Sequence, residues 1–335
     1  MKKIYLSLFL ALGWQHCVLC QDFNVEWYNN LYNSAENQIV VGNYCKAKDI
    51  YLELGKNSRL FTTEKINGLV SCLECDSSSL ENIQFFIQSL FEIGAPVEYF
   101  ETEFANYSYF SSDKWNVLKE EKPVFDRDNK YIKMVNEMIK IDQAGRGYDS
   151  IELMEWADFR VYMKLQGLFK ETKGLLGPEE LGFDYRPLGY SSNRLYNILL
   201  IHQIKSRPYI WGEKLPNMYF DGLLNARSFT NYYLLAKPCD KLELSCFPYP
   251  PTDVIRVSDS IFVCSGEMKD SINKNRDLFY LDSVEDQIRK AFYRESTDKP
   301  FRIGRSIPMY NSAPNEDDSK LINDIKKRGF KKYSN

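Results

Sequence analysis

Three side chains in the middle of this sequence have the types and spacing to do chemistry. Asp142-Gln143-x-x-Arg146 sets a carboxylate and a guanidinium four residues apart, one above the other on a helix face. His202 supplies an imidazole, the side chain best suited to moving protons near neutral pH. Gathered around one cleft, Asp142 or His202 would serve as base, Arg146 would hold an anionic group and Gln143 would contact the ligand beside it. A plainer reading stands next to this one. Asp142 and Arg146 also suit a structural ion pair, and Leu199, Leu200, Ile201 and Ile204 around His202 suit a hydrogen-bonded core histidine. No Gly-x-Ser-x-Gly elbow, phosphate loop or His-Glu-x-x-His helix points to a named reaction.

Cys72-x-x-Cys75 invites a redox or metal reading, but no second pair and no nearby histidine completes a zinc site. No strand–helix–strand pattern of the thioredoxin kind surrounds it either. Cys45, Cys72 and Cys75 are therefore expected as small buried residues, while Cys239 and Cys246 flank a turn-rich segment in which a disulfide can close. No metal and no cofactor is expected.

The chain begins with Lys2-Lys3 and an apolar run from Ile4 to Trp14. That run is too short to span a bilayer and has the length of a signal-peptide core. Val18 and Cys20 suit a cut before Gln21, so residues 1–20 are expected to be a signal peptide, with the mature protein periplasmic or extracellular. Cys17 and Cys20 raise a lipid anchor as an alternative, against which Gln15, His16 and Leu19 are poor flanking residues. No later stretch reaches membrane-spanning length. Cleavage would remove His16 and leave His202 as the sole histidine of the two. The net charge of −3 becomes more negative when Lys2 and Lys3 are lost, which argues against a nucleic-acid binder. Lys326-Lys327-Arg328 and Lys331-Lys332 follow Glu316-Asp317-Asp318 and read as a solvated helix face.

The elements that would carry these groups are mainly helical. Ala35-x6-Gly42-x-Tyr44-x2-Ala47-x3-Tyr51 places small residues where two antiparallel helices touch, a glycine at the turn and two tyrosines two helical turns apart. The spacing resembles a tetratricopeptide repeat. Ile66, Leu69, Val70 and Leu73, then Leu80, Ile83, Phe86, Ile87 and Leu90, suggest a second pair ending at Gly94-Ala95-Pro96. Residues 21–100 are thus expected as a short helical-repeat region, either a scaffold or a concave surface that binds a peptide through Tyr44 and Tyr51. Residues 101–123 carry aromatics without a period and are expected as a linker.

Residues 124–335 are expected as a second helical domain. Tyr131, Ile132, Val135, Met138 and Ile139 form one stripe, and further helices are expected over 152–173, 193–202, from Ser206-x-Pro208 and over 226–236. Ser206 is the expected cap of the helix at Pro208, and Pro216 is expected to kink or end that helix. Val254–Val257 and Ile261–Val263 read as a small hairpin, followed by an amphipathic helix with Val284, Ile288 and Phe292.

The order of Asp142-Gln143-x-x-Arg146, Gly174-Leu175-Leu176-Gly177, Ile201-His202, Asp221-Gly222-Leu223-Leu224 and Ile272-Asn273-x-x-Arg276 resembles the DUF6624-type family of exported, uncharacterised Bacteroidota proteins. The sequence departs from that pattern at Val161, where asparagine is expected after Asp158, and at His202-Gln203, which replaces a histidine pair. The resemblance implies no established reaction. The sequence alone favours a non-catalytic envelope module that binds another exported protein or peptide; the alternative is a hydrolase-type enzyme using Asp142, Arg146 and His202.

Overall fold

The computed structural model describes residues 23–147, 150–172, 174–185, 192–236, 254–304, 309–310, 318–327 and 329–333. Residues 1–20, expected as a signal peptide, and the pair Cys239 and Cys246, expected as able to close a disulfide, lie outside the described residues. The chain is mainly α-helical with one small sheet.

Helices α1 (Val25–Val40) and α2 (Tyr44–Asn57) form a hairpin. Asn24 and Asn43 cap them by accepting from backbone N–H groups of the first turns. Gly42 turns the chain at φ +75°, a conformation that costs other residues strain. Ala35 and Ala47 are fully buried where the helices meet. Helices α3 (Thr62–Leu73) and α4 (Leu80–Glu92) form the next pair, with Ser79 capping α4.

Cys45 and Cys75, expected as separate buried residues, instead form a disulfide with Cα atoms 4.9 Å apart; Cys72 remains a buried thiol. The reason is the up–down–up course of α1, α2 and α3. It returns the end of α3 to the start of α2, and the intervening helix hides that proximity in the sequence.

Residues 101–123, expected as a linker, carry part of the first core. Helix α5 (Val97–Glu103), a 3-10 turn (Ser108–Ser111) and helix α6 (Asp113–Glu120) bury Phe104, Phe110, Trp115 and Leu118. Large rings gain enough from burial to pack without a helical period; Phe110 and Trp115 meet edge to face at 5.1 Å between centroids. Phe183, Tyr185, Phe301 and Ile303 come from far along the chain to complete this cluster.

The second helical layer contains α7 (Lys130–Arg146), α8 (Ile151–Thr172), the single turn α9 (Pro178–Leu181), α10 (Ser192–Ser206), α11 (Pro208–Phe220) and α12 (Ala226–Ala236). Helix α10 touches α7, α8, α11 and α12 and buries Tyr196, Leu199, Leu200 and Ile204 among them. Pro216 does not end α11, because Trp211, Leu215 and Tyr219 recur at four-residue spacing and anchor one face through it. Ser206 closes α10 rather than capping α11, whose cap position falls to Arg207.

Strands β1 (Val254–Val257) and β2 (Ser260–Cys264) pair as a hairpin. Strand β3 (Met309–Tyr310) adds parallel to β1 and β4 (Phe330–Lys332) antiparallel to β2, giving the order β3-β1-β2-β4. Helix α13 (Gly266–Asp277) escapes sequence reading because Ile272 and Arg276 are its buried positions, too few for an apolar stripe. Helices α14 (Val284–Ser296) and α15 (Asp318–Lys327) complete the fold.

One buried network ties the first hairpin to the last part of the chain. Lys290 of α14 donates to Glu36 Oε2 of α1 at 2.6 Å and to Asp282 Oδ2 at 2.7 Å. Asp282 also receives Arg276 at 2.5 Å and Gln287 at 2.6 Å. Burial works against the charged form of Lys290, yet Asp282 and Glu36 hold its ammonium above the ordinary lysine range. Burial likewise works against the Asp282 carboxylate, which Lys290 and Arg276 hold below the ordinary range.

Among the described residues Glu64 of α3 has no ion-pair partner, and its Oε2 accepts no hydrogen bond. Burial, reinforced by the nearby Glu36 charge, pushes its carboxyl up to about 8 from 4.5. The folded chain therefore holds this proton more tightly than the unfolded chain. That contribution to stability is complete below pH 4.5 and is lost as pH rises towards 8. Between those values it costs up to about 1.4 kcal/mol per pH unit. Denaturant melts across this range should show Glu64→Gln more stable than wild type, by a margin that grows with pH; a constant margin would refute the assignment. Breaking the disulfide should also be visible. It closes a separation of 30 residues, so Cys75→Ser should lose about 3.6 kcal/mol by the loop-entropy relation and become insensitive to reductant.

Candidate functional site

The α7 stripe of Ile132, Val135 and Met138 continues into Asp142 and Gly145, so the helix's own period carries a carboxylate into the interior. Helix α8 does the same with Asp158, on the face that buries Val161, Leu165 and Leu168. The two helices approach closely at Gly145, where a Cβ would lie 2.2 Å from the Ala157 Cβ. Only glycine fits there, and the contact brings Arg146 against Asp158, the neighbour of Ala157.

The side chain of Asp142 is 0% exposed and receives two donors. Arg146 Nε donates to Oδ1 at 3.0 Å, and His202 Nδ1 lies 3.0 Å from Oδ2 and 3.2 Å from Oδ1. Arg146 Nη2 donates to Asp158 Oδ1 at 2.9 Å. Ser206, one turn beyond His202, places its hydroxyl 2.6 Å from Asp158 Oδ2 and 2.9 Å from the His202 carbonyl oxygen. The result is a continuous chain from Ser206 through Asp158, Arg146 and Asp142 to His202.

Its two outer members reach solvent: the His202 side chain is 26% exposed and that of Arg146 28%. An ionised carboxylate only accepts, so the Nδ1 position of a neutral His202 carries the proton and Nε2 keeps its lone pair. No described side chain bonds Nε2. Two carboxylates against one guanidinium leave one negative charge in the cluster, which a proton taken up by His202 would neutralise.

Asp142, Arg146 and His202 are thus brought together. Gln143 is not: it lies exposed on another face of α7, with no side-chain hydrogen bond to a described residue. Tyr51 is fully buried and accepts from Asn67 Nδ2 at 3.4 Å, so it has no surface to offer a peptide. Tyr44 is stacked on Phe301 at 5.6 Å between centroids. Asp158 and Ser206 are the members that site reasoning from the sequence omitted. A carboxylate on an otherwise apolar helix stripe was the available signal for Asp158; Ser206 offered none beyond its place one turn after His202. Val161, where the resemblance led to an expected asparagine, is an ordinary core residue. Leu175–Gly177 and Leu223–Leu224 line a different cleft of about 170 Å³.

Comparison with protein families, curated proteins and solved structures returned no match. The geometry therefore carries the functional argument. Among the described residues no three His, Cys, Asp or Glu side chains are grouped to hold a metal ion, and no helix is long and apolar enough to cross a membrane.

The tautomer can be checked directly. His16 and His202 are the only histidines, so selective nitrogen-15 labelling gives two imidazoles, assigned with His16→Gln. His202 in its neutral form should show a protonated Nδ1 and a bare Nε2. The opposite tautomer would contradict the Asp142 contact.

Proposed function

We propose that the protein is an acid–base enzyme of hydrolytic type, with His202 as general base, Asp142 as its orienting partner and Arg146 as the cation facing the substrate. The observation that carries this reading is the buried Asp142 carboxylate, bonded at once to His202 Nδ1 and Arg146 Nε, while the imidazole remains partly open to solvent. A carboxylate in that position holds the ring, fixes its tautomer and stabilises the imidazolium formed when Nε2 takes a proton. Water or a substrate hydroxyl beside Nε2 would become the nucleophile. Arg146 has donors left after serving Asp142 and Asp158, and a carbonyl or anionic oxygen would fit them. Asp158 and Ser206 position Arg146 from behind.

The competing reading, a scaffold or peptide-binding module, loses support because Tyr51 is buried and Tyr44 is half-buried, with one ring face stacked on the chain's own Phe301. Export remains part of the proposal. The Cys45–Cys75 disulfide suits an oxidising compartment and accords with the signal-like start. Kinship with the DUF6624-type family also stays a proposal, supported by the meeting of Asp142, Arg146 and His202.

The test is turnover of p-nitrophenyl acetate and p-nitrophenyl phosphate by wild type, His202→Gln and Asp142→Asn, with thermal melts confirming that each variant folds. Wild type should hydrolyse at least one ester, and His202→Gln should lose about 10²–10⁴-fold. Asp142→Asn should fall between them. Equal rates in wild type and His202→Gln, or no turnover of either ester, would count against the proposal.

A further inference from the structure

A cavity of about 830 Å³ lies away from His202, between α14 and the β4 end of the sheet. Helix α14 packs on the hairpin through Ala291 and Ile288 against Val254 and Val263. Towards β4 the helix and sheet leave space between them. Val263 and Lys331 stand opposite each other across β2 and β4, so their side chains share the face that looks into this space. The apolar wall is Val263, Ile288 and Phe292, with Tyr333 packed on Phe292 at 4.6 Å between ring centroids.

The charged lining is one-sided. Lys269, Arg289, Lys331 and Lys332 face a single carboxylate, Glu285, in a chain whose net charge is −3. Glu285 is already engaged by Lys269 at 2.5 Å, and Arg289 by Asp286. Burial alone would raise the Glu285 carboxyl, but Lys269 and Asn273 hold it at about 2, so it stays spent on that pair. Lys331 and Lys332 have no carboxylate partner among the described residues. Ammonium groups without a described carboxylate partner, at the rim of an apolar wall, call for a ligand with an anionic end and an apolar body. The volume falls in the range of small-molecule sites, about 300–1,000 Å³.

We propose that this cavity binds an amphiphilic anion, a carboxylate or phosphate carried on an alkyl chain, with Lys331 of the α14-facing side of β4 at the charged end, Lys332 at the strand end beside it, and Ile288 and Phe292 along the chain. The proposal is independent of the His202 site. The same chemistry is offered by free acyl anions and by anionic lipid headgroups, and the experiment separates the two.

Calorimetric titration of the full chain with sodium decanoate, decyl phosphate, decyltrimethylammonium and decanol tests it. The two anions should bind at least about tenfold more tightly than the cation or the alcohol. The double variant Lys331→Glu/Lys332→Glu, at exposed positions that leave the fold intact, should lose at least about tenfold for both anions. Phe292→Ser should weaken them too, and its melt shows whether the sheet survives. Cosedimentation with phosphatidylglycerol vesicles distinguishes the sources. Decanoate binding with or without vesicle binding supports the cavity, whereas vesicle binding without decanoate binding overturns it in favour of a surface charge effect. Absence of decanoate binding, equal binding of the cation, or undiminished binding by the double variant also overturns it. The lysines would then serve only to shield the edge strand β4.

Discussion

Lys290 is the point on which the fold closes. A fully buried ammonium is tolerable only where carboxylates meet it in good geometry, and its two partners come from the first helix and from the loop before α14. That demand fixes α1 against α14 whatever the intervening chain does. Removing one member of such a buried set strands the others in a medium that cannot solvate them, a loss of about 3–5 kcal/mol. The network also sets what surrounds it. Asp282 needs Arg276 and Gln287 as well as Lys290, which places α13 and the start of α14 around a single carboxylate.

The same physics, with one wall opened, gives the candidate active site. Asp142 and Asp158 are buried carboxylates on apolar helix stripes, much as Asp282 is a buried carboxylate in a loop. Around Asp282 every donor is itself enclosed. Around Asp142 the donors are His202 and Arg146, and both reach water. Enclosure makes the first cluster a fastener. Access leaves the second with an imidazole that reaches water while its buried partner sets its orientation. The glycine at 145 matters to this distinction, because without the close α7–α8 approach Arg146 would answer to Asp142 alone.

What the sequence made legible follows how local each feature is. The helix over 226–236, the hairpin at 254–264 and the first two helix pairs depend on turns, caps and stripes within a few residues, and they stand where the patterns put them. The Asp142–Arg146 contact is equally local, a matter of four-residue spacing. Asp158 and Ser206 join only through the crossing of α7, α8 and α10, which no short window contains. Tyr51 shows the limit from the other side: its period marks a packed face, but only the fold says that the cover is the chain itself. The disulfide between Cys45 and Cys75 was hidden for a similar reason, since the CxxC spacing drew attention to the nearer partner.

Phe301 and Ile303, which finish the core begun by α1 to α6, lie almost at the far end of the chain. On the ribosome this becomes a matter of time. At about 5–20 residues per second, the stretch between Leu118 and Phe301 takes on the order of 10–40 s to make. Throughout that interval the first helices exist without the residues that cover them, and their aromatic surface is available to any other unfinished chain. The molecule is therefore assembled as a structure whose foundation is sealed last, and its vulnerability during synthesis is concentrated at its beginning.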